Sequence, residues 1–167
     1  DFFYESVLWA VEKGITTGVD KTHFAPASAC IRAQVVTFLW RAAGEPEPET
    51  SVNPFEDVNE DDYFYKAVRW ALEKGITTGV DAEHFGPMMP CNRAQVVTFL
   101  WRAAGEPDAA AESVFSDVTD PGTFYYNAVR WAVENGITTG MGNGTFGITA
   151  TCNRAQVVTF LYRAYNK

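Results

Sequence analysis

Polar residues fall at helical spacing in two stretches of the middle part of the chain. In the first stretch Lys66, Arg69 and Glu73 lie at i, i+3 and i+7, with apolar residues between them, which predicts a surface helix over about 63–74. In the second stretch Gln95, Thr98 and Arg102 have the same spacing but almost everything else is apolar, which predicts a helix over about 93–104 that is buried on most of its circumference.

Local signals indicate where these helices begin and end. Asp61 or Asp62 is the expected N-cap of the first helix, with Thr123 in the equivalent stretch further on. Gly75, followed by an apolar residue, is typical of a left-handed glycine that ends a helix. Asn92 and Gln95 have the spacing of a capping box at the start of the second helix.

The whole pattern occurs three times with a period of 61 residues, as the positions of Trp9, Trp70 and Trp131 show. Such a period predicts a repeat architecture in which each unit buries its apolar face against its neighbours. We therefore expect a mainly α fold of three helix-loop-helix repeats, 1–46, 55–107 and 115–167, forming one compact unit. The buried helices, at 32–43, 93–104 and 154–165, are expected at the centre of a pseudo-threefold bundle, and the linkers Glu45–Pro54 and Glu106–Val114 are expected to be extended.

Composition narrows the possible functions. The net charge of −8 argues against binding to nucleic acid, which needs a basic surface. No apolar run approaches the roughly 18 residues of a membrane span, so we expect no membrane insertion. The chain also has neither a start methionine nor a signal peptide, which favours a module of a larger protein.

The sequence offers little for catalysis or metal binding. Cys30, Cys91 and Cys152, one in each repeat, are expected to be buried free thiols. His23 and His84 have no counterpart in the third repeat, so a repeated metal site is not expected. Nucleophile and nucleotide-binding motifs are also absent, so we expect no enzyme and no cofactor.

One feature breaks a local rule, because an arginine occupies the first turn of each buried helix, where a cation is disfavoured. These residues are Arg32, Arg93 and Arg154. Two interpretations stay open from the residues alone. Free amides of the helix N-terminus and the guanidinium together form an anion receptor, or each arginine pairs with an acidic residue such as Asp57 or Asp117.

The loop between the helices could contact a sugar. Thr78 and Gly79, with Thr139 and Gly140 in the third repeat, offer hydroxyls and open backbone. The aromatic residues Phe2, Tyr63 and Phe124 flank this loop and could stack on a sugar face, although core packing is the commoner fate of an aromatic side chain.

These motifs together resemble the S-layer homology domain. The resemblance covers the whole chain and includes the glycine-containing loop, the segment Phe55–Val58 with its Phe-x-Asp-Val pattern, and the helix start Cys91–Gln95 with its equivalents in the other repeats. It implies a three-pronged bundle that anchors an extracellular bacterial protein non-covalently to the cell wall. The implied ligand is a secondary cell wall polysaccharide, anionic and often pyruvylated, whose carboxylate meets the motif arginine in grooves between adjacent repeats.

The resemblance implies a monomeric, non-catalytic module, located outside the cell on the wall. The sequence departs from the family where a glutamate is replaced by glutamine, at Gln34, Gln95 and Gln156, and this should favour an anion beside the arginines. Repeat 1 also starts without a counterpart of Phe55, Asp57 and Val58. The alternative function is a protein-protein interaction or self-assembly module at the cell surface, with the arginines as structural ion pairs.

Overall fold

The computed structural model describes residues 1–166, and the order of elements is six helices in three pairs. Their bounds are α1 Tyr4–Glu12, α2 Arg32–Ala42, α3 Tyr65–Glu73, α4 Arg93–Ala103, α5 Tyr126–Glu134 and α6 Arg154–Tyr165. The only β structure in residues 1–166 is three isolated bridges between neighbouring repeats. The predicted mainly α fold of three helix-loop-helix repeats is therefore confirmed.

The second helix of each repeat packs against its two counterparts, so that α2, α4 and α6 contact one another pairwise. Seven residues of each are buried, including the first-turn arginine. A narrow polar stripe requires such burial, because few positions on these helices are suited to water.

The first helix of each repeat packs against the central helix of the preceding repeat, not its own. Thus α3 contacts α2, α5 contacts α4, and α1 closes the ring on α6. Trp9 of α1 meets Tyr162 of α6 edge to face, with ring centroids 5.6 Å apart. The sequence pattern does not predict that each first helix packs against the preceding repeat.

The ends of the first helices agree only partly with expectation. Gly75 has φ +70° and its amide bonds to Leu72 O, while the amide of Ile76 bonds to Ala71 O at 2.8 Å, as a left-handed glycine ending requires. The predicted N-caps are wrong, because α3 begins at Tyr65 after Phe64, with no side-chain cap. Asp62 instead accepts the amide of Asn59 through its carboxylate, and its main-chain carbonyl accepts the amide of Tyr65.

At the centre of the ring the three cysteines connect the repeats through their backbones. Each amide donates to the carbonyl of another cysteine: Cys30 to Cys152, Cys91 to Cys30 and Cys152 to Cys91, at 2.9–3.0 Å. All three thiols are free and fully buried, as expected, and burial raises the pKa of Cys91 and Cys152 to about 12. They are neutral packing groups at neutral pH.

Two further observations concern the part of the chain that the structure describes. The longest helix there has 12 residues, and none has the length and apolarity to span a membrane. Within the same residues no group of three or more His, Cys, Asp or Glu side chains is placed to hold a metal ion.

Candidate functional site

The loop after the first helix is held in a fixed shape by one buried threonine. Thr77 is 1% exposed, and its hydroxyl accepts the amide of Gly79 at 3.1 Å. Gly79 has φ +89°, and a Cβ there would lie 2.6 Å from the carbonyl oxygens of Asp81 and His84, so only glycine fits. The turn leaves Thr78 exposed, and the same turn is built by Thr16 and Thr138 in the other repeats.

The first-turn arginine of each central helix reaches into the following repeat. Arg93 is 4% exposed, and its Nε donates to the carbonyl of Phe146 at 2.9 Å while Nη2 donates to Thr138 at 3.3 Å. The guanidinium lies over the rings of Phe146 and Phe160, at 4.8 and 5.3 Å. Arg32 and Arg154 make the same contacts in their own following repeats.

Burial lowers the pKa of these arginines, but a guanidinium titrates so far above neutrality that the charge is retained. The alternative in which each arginine pairs with an acidic residue is not observed: within residues 1–166 no carboxylate lies in salt-bridge distance of Arg32, Arg93 or Arg154. Their Nη1 atoms have no protein partner there, and none of them is sealed from solvent. Each arginine therefore keeps a donor for a ligand.

The backbone amides of the helix N-terminus are already used, contrary to the expected anion receptor. The amide of Arg93 donates to Ala150 O at 2.9 Å, and that of Ala94 to Ile148 O at 3.4 Å. The amide of Gln95 donates to the side chain of Asn92, whose own amide returns to Gln95 Oε1, which confirms the capping box. The N-terminus of the helix therefore offers no free backbone amide to an anion.

Asp57 and Asp117 lie behind the loop and hold its backbone. Asp57 accepts the amides of Phe85 and Gly86, each at 2.8 Å. Asp117 accepts the equivalent amides of Phe146 and Gly147, with that of Ile148 at 3.3 Å. Burial alone would raise the pKa of Asp117, but these amide bonds lower it below its ordinary value of 3.8. The structure places neither carboxylate in the pockets described next.

Three pockets lie between the repeats, with volumes of about 380, 250 and 240 Å³, and each is named here by its first-turn arginine. Each pocket combines that arginine from one repeat, the threonine-glycine loop and central helix of the next, and an aromatic residue from the third. The Arg154 pocket includes Thr17, Gly18, Gln34, Arg41 and Tyr63. The Arg93 pocket includes Thr139, Gly140, Gln156, Arg163 and Phe2, and the Arg32 pocket includes Thr78, Gly79, Gln95, Arg102 and Phe124.

The structure thus brings together most of the predicted contact residues and adds a set that sequence reasoning assigned to the fold alone. Arg41, Arg102 and Arg163 supply a second guanidinium to each pocket while bonding one carbonyl of the preceding loop. The available signal was the polar stripe itself, since glutamine, threonine and arginine at i, i+3 and i+7 face the same cavity. No lining residue of these three pockets is acidic, in a chain of net charge −8.

The aromatic residues at the pocket rims are exposed, although aromatic side chains more commonly pack in the core. Phe2, Tyr63 and Phe124 are 67%, 57% and 54% exposed. Each lies edge to face with the next aromatic in the chain, at centroid distances of 5.0–5.3 Å. Their rings therefore line the pocket rims and are not covered by the core.

Comparison with known proteins agrees with this architecture. The family model of the S-layer homology domain matches residues 1–36, 54–97 and 114–158. A cell surface protein of Thermoanaerobacter kivui is 33% identical over 68% of the chain, and a surface-layer 125 kDa protein of Lysinibacillus sphaericus is 31% identical over 81%. An endoglucanase of a Bacillus strain is 28% identical over 74%. The chain spans only 16%, 11% and 13% of the lengths of these three relatives.

Proposed function

The chain belongs to the S-layer homology domain family, whose place is the bacterial cell surface, and from this premise we propose that it anchors a larger protein to the cell wall by binding an anionic, pyruvylated secondary cell wall polysaccharide in its three inter-repeat pockets. One observation carries the proposal. Each pocket presents two arginines and no carboxylate, although the chain as a whole is acidic.

The electrostatics of the pockets favour a carboxylate ligand. In the Arg32 pocket, Arg32 keeps its Nη1 donor, and Arg102 of α4 lines the same cavity. A hydrogen bond between charged groups contributes about 1.5–3 kcal/mol. The net charge of −8 does little to oppose binding of a carboxylate in the pocket, because charges are screened within about 8 Å at physiological salt.

The remaining lining suits a sugar ring. Thr78 offers an exposed hydroxyl, and Gln95 has its Oε1 engaged at the helix cap, which leaves its NH₂ group without a protein acceptor in residues 1–166. Phe124 presents an exposed ring at the rim, on which a sugar face can stack. The volumes of about 240–380 Å³ lie around and just below the lower bound of ligand clefts, about 300 Å³, which fits one short stretch of glycan per pocket.

The same features argue against catalysis. The pocket linings contain no carboxylate and no histidine, so they lack an acid and base pair for hydrolysis of a glycan. The endoglucanase relative is matched over 13% of its length, so its named activity concerns a protein with much additional chain. We accordingly propose an anchoring module that is not itself an enzyme.

The test is binding to purified wall polysaccharide by isothermal titration, before and after mild acid removes the pyruvate ketals. We expect the triple variant R41Q/R102Q/R163Q to bind at least about tenfold more weakly, which corresponds to about 1.4 kcal/mol. The matched control K13Q/K66Q/K74Q also removes three positive charges, but at residues outside the three pockets, and it should bind as the parent does. Equal binding by both triple variants would refute the pocket, and indifference to ketal removal would favour the protein-interaction alternative.

A further inference from the structure

The three pockets share most of their lining. In each pocket the central helix contributes a glutamine, a threonine, a phenylalanine and an arginine, and the loop contributes two threonines and a glycine. The first-turn arginine of another repeat completes the shared set. Because these positions carry the same residue types, they offer the same contacts to a ligand in all three pockets.

The aromatic residue at the rim differs from pocket to pocket. It is Tyr63 in the Arg154 pocket, whereas the other two pockets have the phenylalanines Phe2 and Phe124. The residue after the loop glycine also differs, but it is apolar wherever it lines a pocket. Among residues 1–166 the hydroxyl of Tyr63 is therefore the one polar group that distinguishes the linings of the three pockets.

The side chain of Tyr63 is anchored, and its hydroxyl is free. The ring lies edge to face with that of Phe64, with centroids 5.0 Å apart, and Phe64 is only 6% exposed. The Tyr63 hydroxyl has no hydrogen-bond partner within residues 1–166, and it is not sealed from solvent. A phenol without a protein partner can donate its proton to a ligand.

The electrostatics of Tyr63 indicate where its hydroxyl lies. The residue as a whole is 57% exposed, yet burial raises the pKa of its phenol above the ordinary value of 10. The charges of Arg41 and Arg154 act on the same hydroxyl and oppose this rise. The hydroxyl end of the side chain therefore lies toward the two arginines that line the pocket, and the phenol stays protonated at neutral pH.

The Arg154 pocket is also the most capacious of the three. Its volume is about 380 Å³, compared with about 250 Å³ for the Arg93 pocket and about 240 Å³ for the Arg32 pocket. Ligand clefts are commonly about 300 Å³ or larger. Of these three pockets, only the one that contains Tyr63 reaches that size.

One feature of the Arg154 pocket opposes an anionic ligand. Glu45 Oε1 lies 3.9 Å from Arg41 Nε, although Glu45 does not line the cavity. The Glu45 side chain is 56% exposed, and an exposed ion pair changes an equilibrium by less than about fivefold. A hydrogen bond to a charged group changes an affinity by about tenfold or more, so a bond from Tyr63 has the larger effect.

We propose, on the basis of the function proposed above, that the Arg154 pocket is the primary glycan site and that Tyr63 makes it so. The hydroxyl of Tyr63 donates a hydrogen bond to the ligand carboxylate, beside the guanidinium groups of Arg41 and Arg154. The two pockets with phenylalanine at the rim bind the same chemical group more weakly. The chain thus has one strong site and two weaker ones.

The test is an NMR titration of the isotope-labelled chain with a methyl hexoside that carries one pyruvate ketal. The amides of Gly18, Gly79 and Gly140 are the reporters, since each belongs to the loop of a different pocket. We expect the dissociation constant measured at Gly18 to be at least about tenfold lower than those measured at Gly79 and Gly140.

Two variants move the hydroxyl between pockets. Tyr63→Phe should raise the dissociation constant at Gly18 about tenfold and leave the other two reporters unchanged. Phe124→Tyr places a hydroxyl at the rim of another pocket and should lower the dissociation constant at Gly79. The matched control Tyr65→Phe removes a tyrosine hydroxyl outside the three pockets and should change none of the three values.

The methyl hexoside without the ketal separates contact with the carboxylate from contact with the sugar. With this neutral fragment, Tyr63→Phe should have little effect at Gly18. The inference alone is overturned if the three glycines report equal dissociation constants, if Tyr63→Phe leaves Gly18 unchanged, or if its effect is equally large with the neutral fragment. Absence of saturable shifts at all three glycines overturns the proposed function, and the inference with it.

Discussion

Replacement of Arg93 by methionine should lower the free energy of unfolding by about 2–4 kcal/mol. The variant removes a buried charged hydrogen bond to Phe146 O, worth about 1.5–3 kcal/mol, and leaves that carbonyl unpaired. It also removes stacking of the guanidinium on two aromatic rings, worth about 0.5–2 kcal/mol. Methionine recovers part of the loss, because it fills the space without the cost of burying a charge.

The assay is urea unfolding followed by tryptophan fluorescence, for which the chain offers five tryptophans. The matched control is Arg102→Met in the same helix, where a partly exposed arginine makes one bond to Ile76 O at 3.1 Å. That control should lose no more than about 1.5 kcal/mol. A loss below about 1 kcal/mol for Arg93→Met, or a loss equal to that of the control, would refute the reasoning that Arg93 joins repeats 2 and 3.

Three further outcomes follow from the loop and the central helices. Gly79→Ala should lower stability by more than about 1 kcal/mol in calorimetry, since its Cβ meets two carbonyls, whereas Gly75→Ala, with φ +70° and no atom within 4 Å, should lose less. Stability should fall at acid pH as Asp117 protonates. The pKa of Asp117 is lowered in the folded state, so its contribution to stability is present above the ordinary value of 3.8 and is lost as pH falls through the folded-state pKa. The Asp117→Asn variant should show a weaker dependence of stability on acid pH, and a dependence equal to that of the parent would contradict this role of Asp117. Thiol reagents at pH 8 should modify Cys91 only at the rate of unfolding, because burial raises its pKa to about 12, and fast modification of the folded chain would contradict this.

The central helices were predictable because their sequence is locally consistent. In α4 a narrow polar stripe, an asparagine cap and a glutamine three residues later all point to the same structure. The start of α3 was not predictable in this way: the two aspartates before it resemble caps, but the preceding turn uses the carboxylate of Asp62 for Asn59. Capping preferences describe the average helix start and yield to a competing turn.

The composition of the pockets was only half predictable. The residue types that face a ligand were visible in the repeat, because the loop and the arginine recur with the same spacing. Their assembly was not, since Arg32 serves a pocket whose loop belongs to repeat 2 and whose aromatic rim residue, Phe124, belongs to repeat 3. A periodic sequence specifies each unit but does not say which neighbour receives a given side chain.

The closed ring of cysteine hydrogen bonds and helix contacts makes the order of the repeats along the chain structurally interchangeable. Repeat 1 meets repeat 3 through the same kinds of contact that join the covalently successive pairs. A circularly permuted polypeptide that reads repeat 2, repeat 3, repeat 1, with a linker copied from 45–54, therefore has the same interfaces to form and the same three pockets to build. The covalent path through the ring is one of three possible routes through the same set of contacts.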